Sequence, residues 1–166
     1  MTLYQLETKI FHTTFGRNEP ALHVQSGDTI IADTRDARGN DRHDNPLPDS
    51  MRPSADGFAY STSNPLVGPV FVDGAEPGDT LAVQIERIEL NRATAWSSHS
   101  PNFGSLTGEQ SARRLLLNEP LPSRLFDWSL DLQRHVGILE LKDSRLKRIE
   151  LPLHPFIGSI GVAPRY

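Results

Sequence analysis

Cysteine is absent from the 166-residue chain. That removes a thiolate nucleophile, a disulfide framework and every Cys-ligated zinc or iron–sulfur site. A large charge excess is missing too: the net charge is -4, so no basic surface is expected to hold nucleic acid. No apolar run approaches the roughly 20 residues that a membrane span needs. The opening M-T-L-Y-Q-L-E-T-K-I has no basic region leading into an apolar run, so no secretory signal is expected and a cytoplasmic protein is the default. Metal-binding pairs of the H-x-H or H-E-x-x-H kind do not occur among the six histidines.

What is abundant is punctuation. Thirteen prolines and twelve glycines in one small chain disfavour long helices and favour short strands joined by many turns. Tyr4 to Phe11 has partial period-2 character, a strand signal. Leu22-His23-Val24 runs into Ser26-Gly27-Asp28 and resumes as Thr29 to Thr34. Val70-Phe71-Val72 runs into Glu76-Pro77-Gly78-Asp79 and resumes as Thr80 to Leu90. The two stretches read as an internal repeat of strand, Gly-Asp-Thr turn and strand. Gly takes a positive φ cheaply, and Asp bonds back to its own turn, so Asp28 and Asp79 are expected to be turn residues. In the second unit Leu81, Val83 and Ile85 alternate with polar neighbours, then Ile88 and Leu90 slip phase by one residue. A β-bulge near Glu86-Arg87 would explain that slip.

Val136 to Leu141 and Leu146 to Leu153 read as two strands of a hairpin closed at Asp143-Ser144-Arg145. Ser111 to Glu119 is the one helix candidate, and Gly39 to Ala59 reads as a long polar excursion. The fold expected is all-β: a single domain over residues 1–166, a β-sandwich of two packed sheets with one short helix. The chain closes on an apolar, Gly-punctuated stretch, His154 to Tyr166, and such a stretch is expected to continue into further protein.

The densest chemistry lies between Asp33 and Asp44, where four Asp, three Arg and His43 follow one another at a strand end. Hard cations take carboxylate oxygens and zinc takes His with Asp or Glu, so Asp36 is the leading candidate ligand, ahead of His43 and Asp44. A solvated turn is the plain alternative for the same residues. His23, His135 and His154 read as structural positions. His99, in W-S-S-H-S-P, sits in a loop with hydroxyls but without a G-x-S-x-G elbow.

Four segments, taken in order, resemble the acetamidase/formamidase family of amide hydrolases. Pro20 to Asp36 is similar to that family's first strand pair. Asn64 to Asp79, N-P-L-V-G-P-V-F-V-D-G-A-E-P-G-D, resembles its most recognisable motif. Asn102 to Leu106 resembles a Gly-Phe-Gly-Leu-Leu type loop, and Pro155 to Pro164 follows the family pattern again. His12 and Gly16 sit where the family has a His-containing approach to the first strand. The resemblance covers nearly the whole chain but about the first half of the family. Its later Gly-Gly-Asn-Met-Asp, Gly-Asp-x-His and Gln-Gly-Asp-Gly-Glu segments do not occur here, and residues 107–150 depart from the pattern.

The resemblance implies hydrolysis of a short linear amide to a carboxylate and ammonia. It implies a divalent metal, zinc or calcium, with Asp36 and His12 as the ligands this chain would contribute and a general base in the later half. It also implies a homo-oligomer, or a partner chain that supplies that half. Two other readings compete. One is a non-catalytic β-sandwich that binds a small molecule or a partner. The other is a cupredoxin-like domain, which the absence of Cys argues against.

Overall fold

The computed structural model describes residues 1–16, 18–52, 64–99 and 122–164. Eight strands follow in chain order: β1 Leu3–Leu6, β2 Leu22–Val24, β3 Thr29–Ala32, β4 Val70–Val72, β5 Thr94–His99, β6 Arg124–Asp131, β7 Val136–Glu140 and β8 Arg148–Pro152. One 3-10 turn, Asp49–Met51, is the sole helical element among the described residues. The fold is all-β, in keeping with a Pro and Gly content that disfavours long helices. The expected helix Ser111 to Glu119 lies outside the described residues, as does the Asn102 to Leu106 motif. Among the described residues no helix is long and apolar enough to cross a membrane.

The chain divides into two compact units. The first takes Met1–Asn91 with Phe156–Tyr166, and the second takes Arg92–Pro155. In the first unit, β1 pairs parallel with β3 from Leu3 opposite Thr29 to Leu6 opposite Ala32. β2 pairs parallel with β4, with Leu22 opposite Val70 and Val24 opposite Val72. Leu6, Phe11, Val24 and Leu47 are buried there. The internal repeat seen in the sequence is real at its turns. Asp28 donates its N–H to the Gln25 carbonyl, and Asp79 donates to that of Glu76. In return Oδ2 of each aspartate accepts the N–H of the residue three places earlier, at 3.0 Å for Gln25 and 2.9 Å for Glu76. Gly27 (φ 90) and Gly78 (φ 108) hold the left-handed position that lets these turns close.

The repeat fails at its second strand. Thr80 to Leu90 is not a strand, and none of these residues enters a backbone hydrogen bond among the described residues. Leu81, Val83 and Ile85 are 52%, 53% and 50% exposed. Alternation supplies a face but not a partner, and a strand exists only when its ladder is paired. With no ladder there is no bulge at Glu86-Arg87.

The second unit is an antiparallel meander in the order β5-β6-β7-β8. β6 alternates Phe126, Trp128 and Leu130, each half-buried, with Asp127 and Ser129, both exposed. The Trp128 indole N–H donates to Ser97 Oγ across the β5–β6 pair, at 2.9 Å. Gly137 stands opposite Leu130, and a methyl group there would lie 3.3 Å from Leu153 Cδ2 and 3.6 Å from Trp128 Cε3. The central strand therefore has glycine where neighbouring side chains close over the backbone. The β7–β8 hairpin forms as expected, with Glu140 opposite Arg148.

Candidate functional site

The candidate site is the polar loop that follows β3 in the first unit. Its local order comes from a five-residue pattern repeated head to tail, D-A-R-G-N at 36–40 and D-R-H-D-N at 41–45. In the first loop Asp36 donates its N–H to the Asn40 carbonyl at 3.0 Å. Asp36 Oδ1 accepts from the N–H groups of Arg38 at 2.9 Å and Asn40 at 2.8 Å, and Oδ2 accepts from Asn40 Nδ2 at 3.3 Å. The second loop repeats each bond. Asp41 donates to the Asn45 carbonyl at 2.9 Å. Its Oδ1 accepts from His43 and Asn45 N–H at 2.8 and 2.9 Å, and its Oδ2 from Asn45 Nδ2 at 3.2 Å. Both loops close through a left-handed fourth residue, Gly39 at φ 87 and Asp44 at φ 61. Asp tolerates that conformation better than most side chains do.

Two further residues tie the loops down. Arg35 donates through Nη1 to the carbonyls of Gly39 at 2.9 Å and Asn45 at 3.3 Å, one from each loop. Its guanidinium carbon sits 5.2 Å from the centroid of the buried Phe11 ring, a cation–π geometry. Asp33, one residue past β3, accepts from Arg42 Nη2 at 2.7 Å and Nε at 3.0 Å on Oδ2, and from Asn91 Nδ2 at 2.7 Å on Oδ1. Partial burial works to raise the Asp33 pKa. The hydrogen bonds from Asn91 and Arg42, with the charges of Arg42 and Arg35, outweigh it and hold the carboxyl below its ordinary range. Asp41 is lowered as well, its largest cause being the hydrogen bond from the Asn45 N–H.

The sequence candidates fare differently. Asp36 lies inside this site, half-buried, with both oxygens already accepting hydrogen bonds within its loop. His12 lies outside it, in an isolated antiparallel bridge with Leu66, whose N–H donates to the His12 carbonyl at 2.8 Å. Among the described residues no group of three or more His, Asp and Glu could hold a metal ion, so Asp36 and His12 do not make a metal centre by themselves. His43 and Asp44 serve the second loop through their backbones. His23 is paired, its Nδ1 3.2 Å from Asp73 Oδ1 and its ring 4.9 Å from that of Phe71. His99 is the last residue of β5 rather than a loop residue, with Nδ1 3.2 Å from the Pro122 carbonyl. The roles of Arg35, Asp33 and Asn91 were not read from the sequence. The D-x-x-[GD]-N repeat was a usable signal for the loops, because Asp at the first position and a φ-tolerant fourth residue announce such a turn.

A pH dependence follows. Burial lowers the His12 pKa from its ordinary 6.5, so the unfolded chain takes up that proton before the folded one does. Stability is therefore expected to decline as pH falls from about 7 through the lowered His12 value. A second decline begins near the ordinary carboxylate values of 3.8 and 4.5, because the folded pKa values of Asp28, Asp33, Asp41 and Glu150 are also depressed. Thermal melts between pH 7 and 3 check both steps. His12→Gln should remove the upper step alone, and an unchanged slope between pH 7 and 5 in that variant would refute the assignment.

No curated protein and no solved structure matches the chain at a significant level. Residues 8–166 match the sequence profile of one family of amide hydrolases, across both units and the whole of the polar loop. The chain belongs to the acetamidase/formamidase family.

Proposed function

We propose that the chain is an amide hydrolase that cleaves a short linear amide to a carboxylate and ammonia. The observation that carries this reading is the family match over residues 8–166. Such hydrolysis adds water to the amide carbon, breaks the C–N bond and passes a proton to the departing nitrogen. The polar loop at 33–45 holds carboxylates and guanidiniums in fixed positions, so it is the proposed contribution to the site. A divalent cation, zinc or calcium, belongs to the proposal through Asp36 and His12, with its remaining ligands drawn from elsewhere. A partner chain is the proposed source of those groups. The cytoplasm is the proposed location.

The test is ammonia release from formamide and acetamide by the purified chain, measured with added zinc, with added calcium and with chelator. Release above a protein-free background supports the reading. A folded chain that releases none in any arm overturns it for this chain acting alone. It would then favour the second reading, a non-catalytic β-domain that binds a small molecule or a partner. One observation favours that alternative: both Asp36 carboxylate oxygens are engaged within their own loop.

A further inference from the structure

We propose that Asp79 to Arg87 pairs antiparallel with the same segment of a second copy of the chain, with Val83 on the twofold axis. The proposal is independent of the hydrolase reading. It starts from residues 80–90, whose backbone makes no hydrogen bond to another backbone group among the described residues, and from the exposed apolar stripe of Leu81, Val83 and Ile85. In an extended segment these three residues share one face with Asp79 at one end and Arg87 at the other. A row of open N–H and C=O groups beside an apolar face is a template for another strand.

Charge and symmetry identify that strand. A twofold axis through Val83 sets Val83 opposite Val83 of the partner subunit and Leu81 opposite Ile85 of the partner subunit. It also sets Asp79 opposite Arg87 of the partner subunit, and symmetry makes the Leu81–Ile85 and Asp79–Arg87 pairs twice. The apolar stripe thus pairs with itself and is closed at both ends by opposite charges, which stabilise a ladder when directly opposed. On the other face Thr80 meets Glu86 of the partner subunit, and Ala82 meets Gln84 of the partner subunit. Neighbouring symmetric registers lose this match. An axis through Gln84 sets Leu81 against Arg87 of the partner subunit and Asp79 against Glu89 of the partner subunit. An axis through Ala82 sets Asp79 against Ile85 of the partner subunit. Arg87 is 77% exposed and, among the described residues, pairs with Glu89 alone, at 3.4 Å, so it is accessible to a partner. Asp79 is fixed at the mouth of the segment by the Glu76 N–H. An interface of this length, about 30 Å of paired strand, suits a weak, concentration-dependent dimer.

The missing cysteines make the register directly readable, since one introduced Cys reports alone. Val83→Cys should form a disulfide dimer under mild oxidation at least about tenfold faster than Ile85→Cys. The latter would sit four residues out of register from its copy, about 13 Å away and beyond the roughly 7 Å that a disulfide spans. Arg87→Glu, which sets like charges opposite each other twice, should weaken association about tenfold in sedimentation, more so at low salt. Circular dichroism confirms that each variant folds. Equal cross-linking by the two Cys variants, association untouched by Arg87→Glu, or a chain that stays monomeric at every concentration would each overturn the proposal. Hydrogen-exchange protection of residues 80–90 in a monomer would overturn it too, by showing that another part of the protein covers the segment.

Discussion

Asp36→Ala is expected to destabilise the first unit by about 2–3 kcal/mol, while Asp36→Asn costs under about 1 kcal/mol. Alanine strips the acceptor from the N–H groups of Arg38 and Asn40 and leaves Asn40 Nδ2 without its partner. The loss resembles removal of a helix N-cap, where one side-chain oxygen also serves backbone donors, at about 0.5–2 kcal/mol. Asparagine keeps an oxygen at the Oδ1 position, so the two backbone bonds survive. Its effects on stability and on chemistry therefore separate. A variant that melts like the native chain but has lost metal-dependent ammonia release would assign Asp36 to the chemistry. One that keeps both would assign it to the loop. Chemical denaturation of the two variants, run beside the amide assay, makes the distinction. Equal stability of the alanine and native chains would remove the loop role.

The second large effect is expected at Arg35. Its guanidinium bonds a carbonyl from each of the two loops and lies over Phe11. Hydrogen bonds from a charged donor contribute about 1.5–3 kcal/mol, and a cation–π contact at a partly exposed site about 0.5–1 kcal/mol. Because one donor nitrogen serves both loops, the terms overlap, and Arg35→Ala should cost about 2–4 kcal/mol. Lysine offers a point charge rather than a planar fork, so Arg35→Lys should recover less than half of that loss. Urea denaturation of the three proteins measures both. Full rescue by lysine would show that charge alone matters, and planar geometry would drop out of the account.

These residues also mark what a single sequence makes legible. The turns were readable because their chemistry is local: a Gly with positive φ and an Asp three residues from its donor lie within one five-residue window, as at Gln25–Asp28 and Glu76–Asp79. The β7–β8 hairpin was readable for the same reason. Thr80 to Leu90 was misread because alternation describes a side-chain pattern, and strand formation is decided by a partner that the pattern does not name. β5 was missed for the converse reason. Thr94–His99 is rich in hydroxyls and weak in apolar signal, and it becomes a strand because Arg124–Asp131 lies beside it, with Trp96 opposite Asp127. Within the site, Asp36 was singled out by composition, but Asp33 depends on Asn91, which lies 58 residues away. No local window contains that contact. Arg35 was hidden likewise, because its aromatic partner, Phe11, lies on an earlier segment.

The double loop at 36–45 has a thermodynamic character set by how it is built. Its shape rests on carboxylate and amide hydrogen bonds, and Gly39 is its sole buried residue. Opening it would release polar groups to water while uncovering little hydrocarbon. The heat capacity and urea sensitivity of that opening would therefore be small compared with those of the strands. A cycle of loop opening and closing would barely register in a calorimeter tuned to the core, yet it would free the Asp36 carboxylate each time it occurred.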